Sequence, residues 1–356
     1  GRRQDHTPNW DTTGAFLLAY ALPLRKLYLT GKEPTEEAFV SRSAAEQLIE
    51  DGKGWFRHDK TSYYASLPRD ELLERFNSWS PIVRERAAMA LPTLDDPPID
   101  ALIAKLESDH LAARHGACQA FIRLGAKASK AMPALREALR ADDYWLRVKA
   151  AQAICAMGDA AMPALPEMLE LIIHSKPTDE DPREMEQRFV AIAVFRDLLQ
   201  ERSLDGVDKD LLLQAMAATL DNQDGRARTA VSNMYDKFTA EELAPIQPDM
   251  YAAVVEPAPS GYMFADAVRT RGLHFFAELK DPRLLEFAID FMDLQRWGKR
   301  GRIGGGIKAL EIYGEAAKPL LPRMRELEKK LINHREAEML KPYRERLTRL
   351  IQELDS

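Results

Sequence analysis

Gly158-Asp159-Ala160-Ala161-Met162-Pro163-Ala164-Leu165-Pro166-Glu167-Met168-Leu169-Glu170-Leu171 recurs near the C-terminus as Gly314-Glu315-Ala316-Ala317-Lys318-Pro319-Leu320-Leu321-Pro322-Arg323-Met324-Arg325-Glu326-Leu327. A looser copy begins at Gly125 and runs through Met132-Pro133-Ala134-Leu135. Each copy sets a glycine where one helix must stop and a proline where the next begins and needs no amide hydrogen. The stretch therefore predicts a helix-to-helix junction, repeated along the chain.

A second element recurs with it: an arginine followed three residues later by alanine, as Arg84 with Ala87, Arg114 with Ala117, Arg147 with Ala150 and Arg188 with Ala191. The arginines are spaced at intervals of roughly 30 to 41 residues, the length of a two-helix repeat. Arg-x-x-Ala together with Gly-x-x-Ala-x-x-Ala-Leu-Pro resembles the HEAT family, in its PBS-lyase-type bacterial variety. The resemblance is good over residues 80–173 and returns over 304–331. It implies a right-handed α-α superhelix, a HEAT/armadillo-like solenoid of about eight helix pairs, and leaves the ligand open.

Working outward, the expected pairs are residues 70–76 with 81–91, 98–106 with 111–124, 132–139 with 144–157, and 163–173 with 184–199. They continue as 209–220 with 226–238, 241–255 with 262–279, 282–294 with 305–313, and 318–331 with 335–354. No strand pattern is read anywhere. Residues 67–356 thus form the expected solenoid. Its last helix carries charges around a stripe of Met339, Leu340, Leu347, Leu350 and Ile351, as a terminal cap should. Residues 1–66 differ. Trp10-Asp11-Thr12-Thr13-Gly14-Ala15 followed by Ala21-Leu22-Pro23-Leu24 looks like the last helix of an α/α-toroid domain in large bacterial proteins, and the start at Gly1 is expected to mark an excised piece of such a protein.

Composition narrows function by exclusion. The chain has 356 residues, 46% hydrophobic and 30% charged, with a formal net charge of −6. That balance weighs against a dedicated nucleic-acid binder. The longest apolar run is too short and contains Pro23, so no transmembrane helix is expected. Cys118 and Cys155 sit in alanine-rich helical stretches and read as small core residues. The seven histidines are scattered, with no pair at the i, i+4 spacing of a helical metal site. Hydrolase, zinc-protease, phosphate-loop and dinucleotide motifs are not found. No catalytic residue, metal or cofactor is expected, and the compartment stays open.

Two sets of residues remain. The stretch Arg296-Trp297-Gly298-Lys299-Arg300-Gly301-Arg302-Ile303-Gly304-Gly305-Gly306 reads as a surface loop before a helix. In the binding reading, Lys299, Arg300 and Arg302 work with the glycine amides on an anion or acidic peptide; in the other, the glycines relieve crowding between helices. As surface cations, Lys299, Arg300 and Arg302 should tolerate alanine within about 0.5 kcal/mol. Arg84, Arg114, Arg147 and Arg188 are expected to bond to an aspartate or a carbonyl of an adjacent repeat, a structural role. The pairs Asp95-Asp96 and Asp142-Asp143 are read as helix N-caps. The function expected is a scaffold for a protein or peptide. The alternatives are an accessory region of a larger enzyme or glycan-active protein and, less favoured, nucleic-acid binding.

Overall fold

The computed structural model describes residues 62–78, 81–175 and 184–356. The toroid-like helix read from Trp10 lies outside them. The described chain is all-α, and its only β-type pairing is an isolated bridge between Asp224 and Ser260. It divides into two compact units, one ending at Ala164 and the other beginning at Leu165. The division falls at a junction motif inside the expected solenoid.

The first unit holds α1 (Ser62–Ala65), α2 (Arg69–Arg75), α3 (Pro81–Ala90), α4 (Ile99–Leu106), α5 (Leu111–Leu124), α6 (Met132–Ala138) and α7 (Tyr144–Ala156). Besides pairing along the chain, α3 packs on α5, α5 on α7, and α4 on α6. Helices therefore form two rows, first helices on first and second on second, which is solenoid packing. Small residues allow the second row to close up. Ala87, Ala117, Ala120, Ala150, Ala151 and Ala153 are fully buried, and a Cβ on Gly116 would meet the Phe76 side chain at 2.9 Å. Leu102, Phe121, Leu135, Leu146 and Ile154 fill the space between the rows.

The second unit continues with α8 (Leu165–His174), α9 (Met185–Ala191), α10 (Lys209–Leu220), α11 (Gly225–Ser232), α12 (Gln247–Val255) and α13 (Tyr262–Glu278). It ends with α14 (Leu285–Asp290), α15 (Lys299–Tyr313), α16 (Leu321–Ile332) and α17 (Ala337–Asp355). One row runs α8, α10, α12; the other runs α9, α11, α13, α15, α17. Side-chain bonds between neighbouring pairs span similar distances along the chain: 28 residues for Lys105 to Asn77, 36 for Arg302 to Asp266, and 37 for Lys299 to Glu336.

The three junction copies fold alike. Gly125, Gly158 and Gly314 take φ of 55°, 69° and 57°, a left-handed turn that costs glycine nothing. Each opens a seven-residue 3₁₀ segment, Gly125–Ala131, Gly158–Ala164 and Gly314–Leu320. The next α-helix starts only afterwards, so Pro163 and Pro319 belong to the 3₁₀ segments and Pro166 and Pro322 to the helix starts. The sequence reading placed two helix starts, at 163 and 318, a few residues early.

Other boundaries shift as well. The helix read at 184–199 is α-helical to Ala191 and π-helical over Ile192–Leu199. The helix read at 226–238 ends at Ser232, and a separate 3₁₀ turn covers Tyr235–Lys237. That read at 282–294 reduces to a 3₁₀ turn and the short α14. The largest correction is α15, which begins at Lys299 rather than at 305 and takes in most of the glycine-rich stretch. In α17, Leu340, Leu347, Leu350, Ile351 and Leu354 are buried, but Met339 stands 42% exposed, off the expected stripe.

Candidate functional site

Arg302 sets the local geometry of the second unit. It is 1% exposed, and its guanidinium donates to Oδ2 of Asp266 on α13 at 2.6 Å. The same group donates to the carbonyls of Trp297 (2.9 Å), Arg296 (2.9 Å) and Asp293 (3.2 Å). A planar fork of donors can gather several carbonyls of one turn at once. The backbone between α14 and α15 is thereby tied down from beneath. Arg302 is thus buried, not the surface cation that the sequence reading expected.

What this tether holds outward is Trp297, 72% exposed, the most exposed of the large apolar side chains described. Gly298 follows with φ of 82° and precedes the first turn of α15. Lys299 pairs with Glu336 across to α17 at 2.6 Å. Arg300 is exposed and makes no ion pair among the described residues.

Trp297 borders two clefts. The first, of about 900 Å³, is lined by the 3₁₀ turn after α11, by α13 and by the start of α15, including Tyr235, Asp236, Arg271, His274, Glu278 and Lys308. Both charge signs are present there. His274 donates from Nε2 to the Gly305 carbonyl at 2.9 Å, and burial holds its pKa below the usual imidazole value, so the ring is neutral at pH 7. Tyr235 is 4% exposed, its hydroxyl has no partner among the described residues, and burial pushes the phenol well up. The second cleft, of about 660 Å³, lies on the other side of Trp297, where residues 295–301 face Arg335, Glu336 and Met339.

The glycines pack rather than cradle. A Cβ on Gly304 would come within 3.1 Å of Tyr343, on Gly305 within 2.7 Å of Thr270, and on Gly306 within 2.6 Å of the Ala288 carbonyl. They let α15 close on α13, α14 and α17. The crowding explanation holds for these three positions, and their amides sit inside the helix rather than at its open end.

The repeat arginines of the first unit bond to backbone carbonyls. Arg84 donates to the Ser78 carbonyl at 2.6 Å, Arg114 to Leu106 at 3.0 Å, and Arg147 to Ala141 and Asp142 at 2.6 and 2.9 Å. These acceptors lie where the chain turns into the same helix, whereas the sequence reading expects a partner in an adjacent repeat. Arg188 does reach a neighbour, at 2.9 Å from Asp224. Asp143 caps α7, accepting from the Leu146 amide at 2.6 Å. Asp96 does not cap; it meets Arg69 at 3.4 Å, while Pro98 precedes α4. Over this part of the chain the repeat spacing, the two-row packing and the recurring arginine coincide with a family match: residues 69–155 match the family model for HEAT repeats.

Residues 69–155 are HEAT repeats.

No curated protein matches the chain. The HEAT segment lies within the first unit, whereas Trp297 and both clefts lie in the second, which carries the same two-row helical packing. Among the described residues no cluster of His, Cys, Asp and Glu could hold a metal ion, and no helix is long and apolar enough to cross a membrane. Cys118 and Cys155 are buried and form no disulfide among the described residues, and burial pushes the Cys118 thiol up to about 12.

Sequence reasoning missed the opposite walls of the clefts. Arg271, His274 and Glu278 sit at i, i+3 and i+7, a spacing that puts them on one helix face. That signal was available. Tyr235 and Met339 gave none, because an aromatic or a methionine at helical spacing reads first as core.

Proposed function

We propose that the chain is a non-catalytic binding scaffold whose second unit receives a peptide segment of a partner protein at Trp297. The observation that carries this reading is a 72% exposed tryptophan on a backbone pinned by a buried arginine. A large aromatic held outward on a rigid support offers contact area without the ordering cost of a mobile loop. Clefts on both sides give an incoming chain somewhere to lie. Helical repeat stacks present such surfaces from successive second helices.

The test is selection of peptides from a random library on the full chain, followed by titration of the selected sequences against wild type and Trp297→Ala. Peptides that bind wild type and lose roughly tenfold or more in affinity on the variant are the expected result. Peptides that bind both equally would place the binding surface elsewhere, and failure to select any would remove the reading.

A further inference from the structure

We infer that the cleft between Trp297 and α17 takes an acidic peptide segment that carries an aromatic or aliphatic side chain. This rests on the peptide-binding reading above and names its chemistry. Charge is the first observation. The lining brings Arg296, Lys299, Arg300 and Arg335 against one carboxylate, Glu336, a local positive surplus in a chain whose net charge is −6. Lys299 is 12% exposed and bound to Glu336 at 2.6 Å, so that pair is internally balanced. Arg335, with an 82% exposed side chain, stands 3.8 Å from the same carboxylate, and Arg300 has no ion pair among the described residues. Arg300 and Arg335 are thus the cations that face an incoming group.

The second observation is apolar and independent of the first. Trp297 and Met339, 72% and 42% exposed, both line this cleft. An exposed aromatic beside a polarizable thioether suits an aromatic or branched side chain. A bare anion would leave that surface wet. A short acidic segment with one large apolar residue uses both features.

The experiment is fluorescence anisotropy on the full chain with four labelled probes of about ten units. The first is a capped peptide of Asp and Glu around a central Phe; the second replaces the acids by Asn and Gln; the third replaces Phe by Ala; the fourth is an oligothymidylate. Binding of the first peptide is expected. The second and third should bind roughly tenfold or more weakly, and raising salt to about 0.5 M should weaken the first. Arg300→Glu with Arg335→Glu should abolish the preference for the acidic peptide, and both positions are exposed enough to leave the fold intact, which circular dichroism would check. Equal binding of the neutral peptide, or preference for the oligothymidylate, would overturn the inference. Neutral-peptide binding that is lost in Trp297→Ala would leave the peptide-binding reading standing, whereas no binding of any of the three peptides would overturn this inference, with the library selection deciding the broader reading.

Discussion

Arg302 and Asp266 lie 36 residues apart in the chain and meet at 2.6 Å, with the arginine side chain almost wholly enclosed. The contact ties α15 to α13. It also fixes the backbone that presents Trp297, so one residue joins the stability of the second unit to its candidate binding surface.

Arg302→Ala should therefore lower the stability of the second unit by about 2–4 kcal/mol, since it orphans Asp266 and three carbonyls at once. Arg300→Ala, two residues earlier and exposed, should stay within about 0.5 kcal/mol. Urea unfolding of both variants checks the contrast. Equal, small effects would mean that the buried fork does not hold this turn.

Two glycines of the same helix should respond with opposite sign. A Cβ at Gly301 meets nothing within 4 Å, so Gly301→Ala gains helix propensity and should stabilise by about 0.5–1 kcal/mol. At Gly306 the added Cβ would strike Met292 and lie 2.6 Å from the Ala288 carbonyl. Gly306→Ala should destabilise by about 1–3 kcal/mol as overpacking outweighs propensity. Thermal melts of the two variants decide it, and a stabilising shift in both would refute the close approach of α14.

Tyr235→Phe should leave stability unchanged or raise it by up to about 1 kcal/mol. The hydroxyl is buried without a hydrogen-bond partner among the described residues, so removing it takes away a desolvated group and keeps the ring against Phe275, whose centroid is 6.3 Å away. A clear loss in chemical denaturation would show that the phenol has a partner in solution.

Asp224 predicts a specific acid sensitivity. Burial alone would raise its pKa, but bonds from Arg226 and Arg188 outweigh burial and bring it to about 2. An unfolded aspartate titrates near 3.9, so between these values the unfolded chain binds the extra proton. The stabilisation is complete above about pH 4 and is lost as pH falls toward 2, on the order of 2 kcal/mol in all. Stability measured against pH should fall less steeply through that window in Asp224→Asn than in wild type. Parallel curves would mean that the carboxylate is not held ionised by its arginines.

The recurring glycine-proline motif was enough to read the architecture, because a left-handed glycine and a missing amide hydrogen are local requirements that leave a mark on sequence. The register was harder. Pro163 looks like a helix start until the 3₁₀ segment Gly158–Ala164 takes it in. At 299–304 the glycines and cations read as a loop, yet α15 already begins at Lys299, where the glycines that follow let it close on Thr270, Met292 and Tyr343. Arg302 shows the same limit at the site. Beside Lys299 and Arg300 it reads as one of three equivalent cations, and only the position of Asp266 on a distant helix separates the buried one from the exposed one.

The side-chain bonds between helix pairs reach about one repeat along the chain, as Lys299 to Glu336 and Arg188 to Asp224 do at 37 and 36 residues. Pulled from its ends, each unit therefore carries tension through a series of like fastenings rather than through one clasp shared by distant parts. A chain joined this way gives under load in steps of one repeat's length, and each released pair leaves the next to hold or fail by its own bonds.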